Sequence, residues 1–143
     1  LPGSVFLLSD HDGGVRRVVR LDSPPVALSE GVDGYYLALE GGELIQVLGA
    51  RKRLVFTFPR AARGAFDRLG ESPIRSVAAT DDPRLVFFST RTTVYALVGG
   101  AAVPVTRGLG GQVRWRDGVL FVLDPSAGFL VGIDRLPAAL GLN

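Results

Sequence analysis

The sequence predicts an all-β fold built from antiparallel four-stranded meanders, and three observations carry that prediction. Short apolar runs rich in Val, Leu, Phe and Tyr recur: VFLLSD from Val5, YYLALE from Tyr35, LVFFST from Leu85 and VLFVLD from Val119. Runs of this length and composition, bounded by turn residues, read as strands. Each is followed, about ten residues after its own start, by a second run: VRRVVRL at Val15, ELIQVL at Glu43, TVYALV at Thr93 and FLVGID at Phe129. Finally, glycine-bearing dipeptides punctuate the runs at Asp33-Gly34, Gly41-Gly42, Gly99-Gly100 and Asp117-Gly118. Such pairs close hairpins because glycine accepts the positive φ that two-residue links require.

Taken in order, the hairpin recurs four times. The first copy pairs VFLLSD with VRRVVRL. The second is extended by VALSE before it, at Val26, and RLVFTF after it, at Arg53. The third is preceded by IRSVAAT at Ile74 and followed by AAVPVT at Ala101, and the fourth is preceded by QVRWR at Gln112. Two full four-stranded units are therefore expected, flanked by partial ones. One segment breaks the rhythm. PRAARGAFDRLGESP, residues 59–73, is longer than a meander connection needs, and it is expected to be helical from Arg60 to Leu69 or irregular.

Repeats of four short strands per ~40–45 residues are the blade pattern of β-propellers. On these runs and turns the chain resembles the β-propeller superfamily in general, across nearly its whole length. It matches no single family: the sequence has no Trp-Asp dipeptide closing the strands, no kelch double glycine at a fixed position after a hydrophobic run, and no integrin-type calcium loop. The resemblance implies about three and a half blades in these 143 residues, whereas closed propellers use about 4–8. Open strand edges recruit partners. Either copies of the chain or another protein complete a ring, or the chain is part of a larger propeller. A barrel or a two-sheet sandwich is the remaining closed arrangement.

Composition sets further bounds. One domain spanning 1–143 fits the length, and 47% hydrophobic residues predict a packed core. Net charge is +2, and Lys52 is the only lysine beside 15 arginines. No cysteine is present, which removes disulfides, thiolate nucleophiles and cysteine metal sites. A cysteine-free chain fits a bacterial periplasmic or extracellular setting as well as the cytoplasm. No run reaches the ~20 apolar residues of a membrane helix. Methionine is missing even at position 1, so a processed, excised or trimmed chain is expected.

The single histidine lies in SDHDGGV, Ser9 to Val15. Asp10, His11 and Asp12 offer metal-ligand chemistry, but adjacent side chains in an extended segment diverge. Val15, Arg16 and Arg17 follow where a calcium loop would place more oxygens. A hairpin turn is the expected role, with Asp10, His11 and Asp12 kept as weak binding candidates. No Gly-x-Ser-x-Gly elbow exists. No catalytic residue, metal ligand or cofactor is assigned. Asp81-Asp82-Pro83 reads as a turn, although Asp10, Asp12, Asp81, Asp82 and Asp124 would gather near one axis if blades closed around it. Arg51-Lys52 is expected in a hairpin connection, and Trp115 in the core, opposite Arg114 and Arg116. One of Tyr35 and Tyr36 is expected in the core and the other on the surface.

As a helix, 60–69 would place Ala62, Phe66 and Leu69 on one face and Arg60, Arg63 and Arg68 nearer solvent. Arg60, Arg63, Phe66 and Arg68 are the remaining binding candidates. In a meander, the link between units leaves from the end that carries the central hairpin turn. The insertion, SDHDGGV, Ser89–Thr92 and Asp124–Ala127 should then share one face. The expected function is a non-enzymatic interaction or assembly module with a protein partner or further copies of itself; nucleic acid is not expected. A propeller-type hydrolase or lyase with a channel cation, and a carbohydrate-binding module, are the alternatives. The last predicts exposed aromatics at equivalent positions, and Tyr36, Phe88 and Leu120 do not preserve one type, which counts against it.

Overall fold

The protein's structure is a computed structural model that describes residues 4–9, 15–49, 51–59 and 73–142. It is all-β, and its described strands pair antiparallel in four sheets that follow one another along the chain. β1 (Ser4–Ser9) and β2 (Val15–Leu21) form a hairpin. A four-stranded meander follows: β3 (Pro25–Glu30), β4 (Tyr35–Leu39), β5 (Glu43–Leu48) and β6 (Arg51–Thr57). A second meander holds β7 (Ser76–Ala79), β8 (Leu85–Ser89), β9 (Val94–Val98) and β10 (Ala101–Pro104). The last sheet has three strands: β11 (Gln112–Arg116), β12 (Val119–Asp124) and β13 (Phe129–Ile133). A four-residue helix, Leu136–Ala139, follows and buries Leu136.

The links do what their residues dictate. Gly99 and Gly100 take φ of 58° and 86°, and Asp117 and Gly118 take 52° and 79°. Two consecutive positive-φ residues give the turn whose twist matches that of the strands it joins. Pro104 ends β10 on the outer edge of its sheet, where the missing N–H breaks no ladder.

Sheets stack face to face, and the stacking buries the apolar alternation. Tyr36, Ala38 and Leu44 of the first meander pack with Val77, Val86, Phe88 and Leu97 of the second. On the other face of the second meander, Ala78, Leu85, Phe87, Val94 and Ala96 pack with Val113, Leu120, Val122 and Leu136. Leu21 joins Leu37, Leu39, Ile45 and Val47 on the remaining face of the first meander. Both faces of β4 and β8 are therefore buried, since each lies between two layers.

That layering corrects two expectations. Tyr36 is buried, and Tyr35 also packs, against the Leu37–Val47 face, rather than standing as a surface aromatic. Arg51 and Lys52 lie within β6 instead of a connection; Lys52 Nζ donates to the Arg20 carbonyl at 2.6 Å and so ties β6 to β2. The helix expected at Arg60–Leu69 lies outside the described residues. The ends of that insertion are described: Phe58 N–H donates to the Gly42 carbonyl, and Arg75 N–H to the Ser89 carbonyl. The segment thus leaves beside the β4–β5 turn, as the meander geometry predicts. No helix among the described residues is long and apolar enough to cross a membrane.

Candidate functional site

The first strands of the three larger sheets lie side by side: β7 contacts β3 on one flank and β11 on the other. Serines bridge them. Ser29 Oγ accepts from the Ala79 N–H at 2.8 Å, and Ser76 Oγ accepts from the Val113 N–H at 3.1 Å. A cleft of about 910 Å³ runs along these strands. Leu28 and Glu30 of β3 form one wall; Arg114, Phe121, Leu123 and Leu130 of the last sheet form the other. Trp115 also lines it: the core position expected of it is met only in part, since its ring packs on Phe87 at 5.7 Å but stays partly exposed, with Nε1 donating to Asp81 at 3.2 Å.

The second wall is one whole sheet face. Register pairs Gln112 with Leu123 and Arg114 with Phe121 across β11–β12, and Phe121 with Gly132 and Leu123 with Leu130 across β12–β13. In the preceding sheet the same register pairs Phe87 with Ala96 and Ser89 with Val94. Phe121 therefore occupies the position of Phe87, and Leu130 that of Val94. Phe87 and Val94 are 0% exposed because the next sheet covers them, whereas Phe121 is 37% and Leu130 68% exposed. The terminal sheet presents the surface that its predecessor uses for stacking, and none of the described residues forms a layer on it.

At one end of the sheets, turns meet. Gly111 N–H donates to the Thr90 carbonyl and Ser89 Oγ to the Gly111 carbonyl, while Gly110 N–H reaches the Asp124 carboxylate. The β8–β9 and β12–β13 turns thus share one face, as expected. Asp124 Oδ1 accepts from Ser126 Oγ at 2.7 Å and from the N–H groups of Ser126 and Ala127. The Ser126 hydroxyl, then the Ala127 amide, hold this carboxyl below its ordinary range. A carboxyl depressed in the folded state stabilises fully above its unfolded pKa and loses that contribution as pH falls through its folded value. Melting curves should show wild type losing Tm below about pH 5 more steeply than Asp124→Asn, which lacks the titrating group.

Asp81 and Asp82 stand elsewhere. They precede β8, whereas Asp124 lies beside Thr90, which follows it; a five-residue strand separates them, a span of roughly 16 Å. Asp81 and Asp82 thus stand apart from Asp124, whereas the channel-cation alternative would need these acidic turns to gather near one axis. Asp82 instead chelates Arg84, whose side chain and backbone N–H both lower its pKa. Among the described residues no group of three or more His, Cys, Asp or Glu side chains could hold a metal ion. Tyr36, Phe88 and Leu120 are buried at 5%, 0% and 0% exposure, so they form no exposed aromatic ladder for a sugar. Asp10, His11, Asp12, Arg60, Arg63, Phe66 and Arg68 lie outside the described residues. The cleft and its apolar wall were missed in the sequence, where Phe121 and Leu130 look like any other core residues.

No protein-family model matches the chain, and no curated protein does. Among solved structures it is similar to the computationally designed Ika4 protein, at 8% identity over 83% of this chain and 98% of that one, with a TM-score of 0.40.

Proposed function

We propose that this chain is a non-enzymatic, β-propeller-like module for interaction and assembly, its sheets acting as blades and its open end as the binding surface. The observation that supports this reading is the uncovered face of the terminal sheet. Phe121 and Leu130 hold the positions of the stacked Phe87 and Val94, Leu123 adjoins them, and among the described residues no layer stacks on the three. Contiguous apolar surface bordered by polar groups marks association sites, and here the border is Gln112, Arg114 and Arg116 on the same face of β11.

Denaturation of Leu130→Asp in dilute solution tests the reading. A free face predicts a change within about 0.5 kcal/mol, the range of ordinary surface substitutions. A loss above about 2 kcal/mol would mean that the chain covers this face itself, as a self-closed domain, and would overturn the module reading.

A further inference from the structure

We infer that the partner covering the terminal sheet is a second copy of this chain, docked head to tail through the outer face of its β3–β6 sheet. This rests on the module reading above and names its partner. Any layer stacking on the terminal sheet must present the face that sheets here turn toward their predecessor. The β3–β6 sheet has that face only partly covered. Leu37, Ile45 and Val47 lie buried on it behind β2, but Leu28, paired in register with Leu37, is 51% exposed, and Leu54, paired with Ile45, is 59% exposed. Of the nine exposed large hydrophobics among the described residues, Leu28, Leu54, Phe121, Leu123 and Leu130 fall on these two faces. On the terminal sheet these residues adjoin one another across β12 and β13, and on the β3–β6 sheet they lie on its two outer strands, beside the part that β2 covers.

Charge matches as well. Arg114 stands where β7 carries the buried Ala78, because Arg114 pairs with Phe121 as Ala78 pairs with Phe87. Arg116 lies two residues on, on the same face. The receiving face of β3 carries Glu30, two residues beyond Leu28. First strands lie side by side throughout this fold, so stacking a second copy brings the two arginines toward Glu30. Opposite charges at such a rim fix register and exclude wrong partners. Within one chain the cleft holds the two walls apart. Two copies give two identical contacts, and a head-to-tail contact that closes forms a ring instead of a filament.

Light scattering over a concentration series of the full chain tests this. The expected mass is twice the 15.2 kDa of one chain. Arg114→Glu with Arg116→Glu should weaken association at least tenfold, Glu30→Arg likewise, and the three changes together in one chain should restore it. A single-chain mass at every concentration would overturn the second copy. If Leu130→Asp then folds normally, the module reading stands with a different partner; if it unfolds the protein, both fail. A pair indifferent to all charge reversals would also overturn the inference, since another face would be holding it.

Discussion

Phe88→Ala is expected to cost about 3–5 kcal/mol, as other buried Phe→Ala changes do, a large share of the usual total of about 5–15 kcal/mol. Phe88 is 0% exposed at the centre of the layer between the two four-stranded sheets. Its ring lies 4.9 Å from that of Phe56, 5.9 Å from Phe58 and 5.2 Å from Tyr95. Phe56 and Phe58 belong to the first meander and the segment leaving it, while Tyr95 is in β9. One ring thus joins the two sheets, and removing it leaves a cavity that neither rigid ladder can collapse into. Equilibrium urea denaturation measures the loss. A change under about 1 kcal/mol would show that the sheets are not packed as described.

Gly111→Ala should cost about 3 kcal/mol through backbone strain, despite adding one methyl group to a half-exposed site. Gly111 has φ of 108°, outside the range of residues with a Cβ, and that Cβ would run into the Leu123 carbonyl oxygen. The same residue donates to Thr90 and accepts from Ser89. It cannot relax without breaking the junction between the second meander and the last sheet. The contrast is Gly108→Ala, at φ of 75° with nothing within 4 Å of its Cβ, where the conformational cost stands alone. Thermal melting of the two variants separates the contributions, and equal shifts would remove the steric argument for Gly111.

The strand runs at Tyr35, Leu85 and Val119, their partners ten residues on and the glycine links were all legible, because period, β-propensity and positive-φ chemistry are local properties. What could not be read was which face meets another layer. Val86 and Leu123 look alike in sequence, yet one is buried in a sheet stack and the other lines an open cleft. Alternation tells that a face is apolar and says nothing about what covers it. Alternation puts one of Tyr35 and Tyr36 on the surface, yet both pack, since a strand between two layers has a neighbour on each face. The charge of Lys52 points to a solvated connection, but its amine reaches a backbone carbonyl from within a strand. The wall formed by Phe121, Leu123 and Leu130 became visible only through register, by comparison with Phe87 and Val94 one sheet earlier.

The stacking order of the sheets also bears on how the molecule comes apart. Each sheet rests chiefly on its neighbours along the chain, so its cohesion is shared pairwise, like that of books on a shelf. The interior pair of meanders is held from both sides, whereas, among the described residues, β1–β2 and β11–β13 each lean on one neighbour. Loosening should therefore begin at these two ends and travel inward, and whatever docks on β11–β13 acts as a bookend for that side of the row.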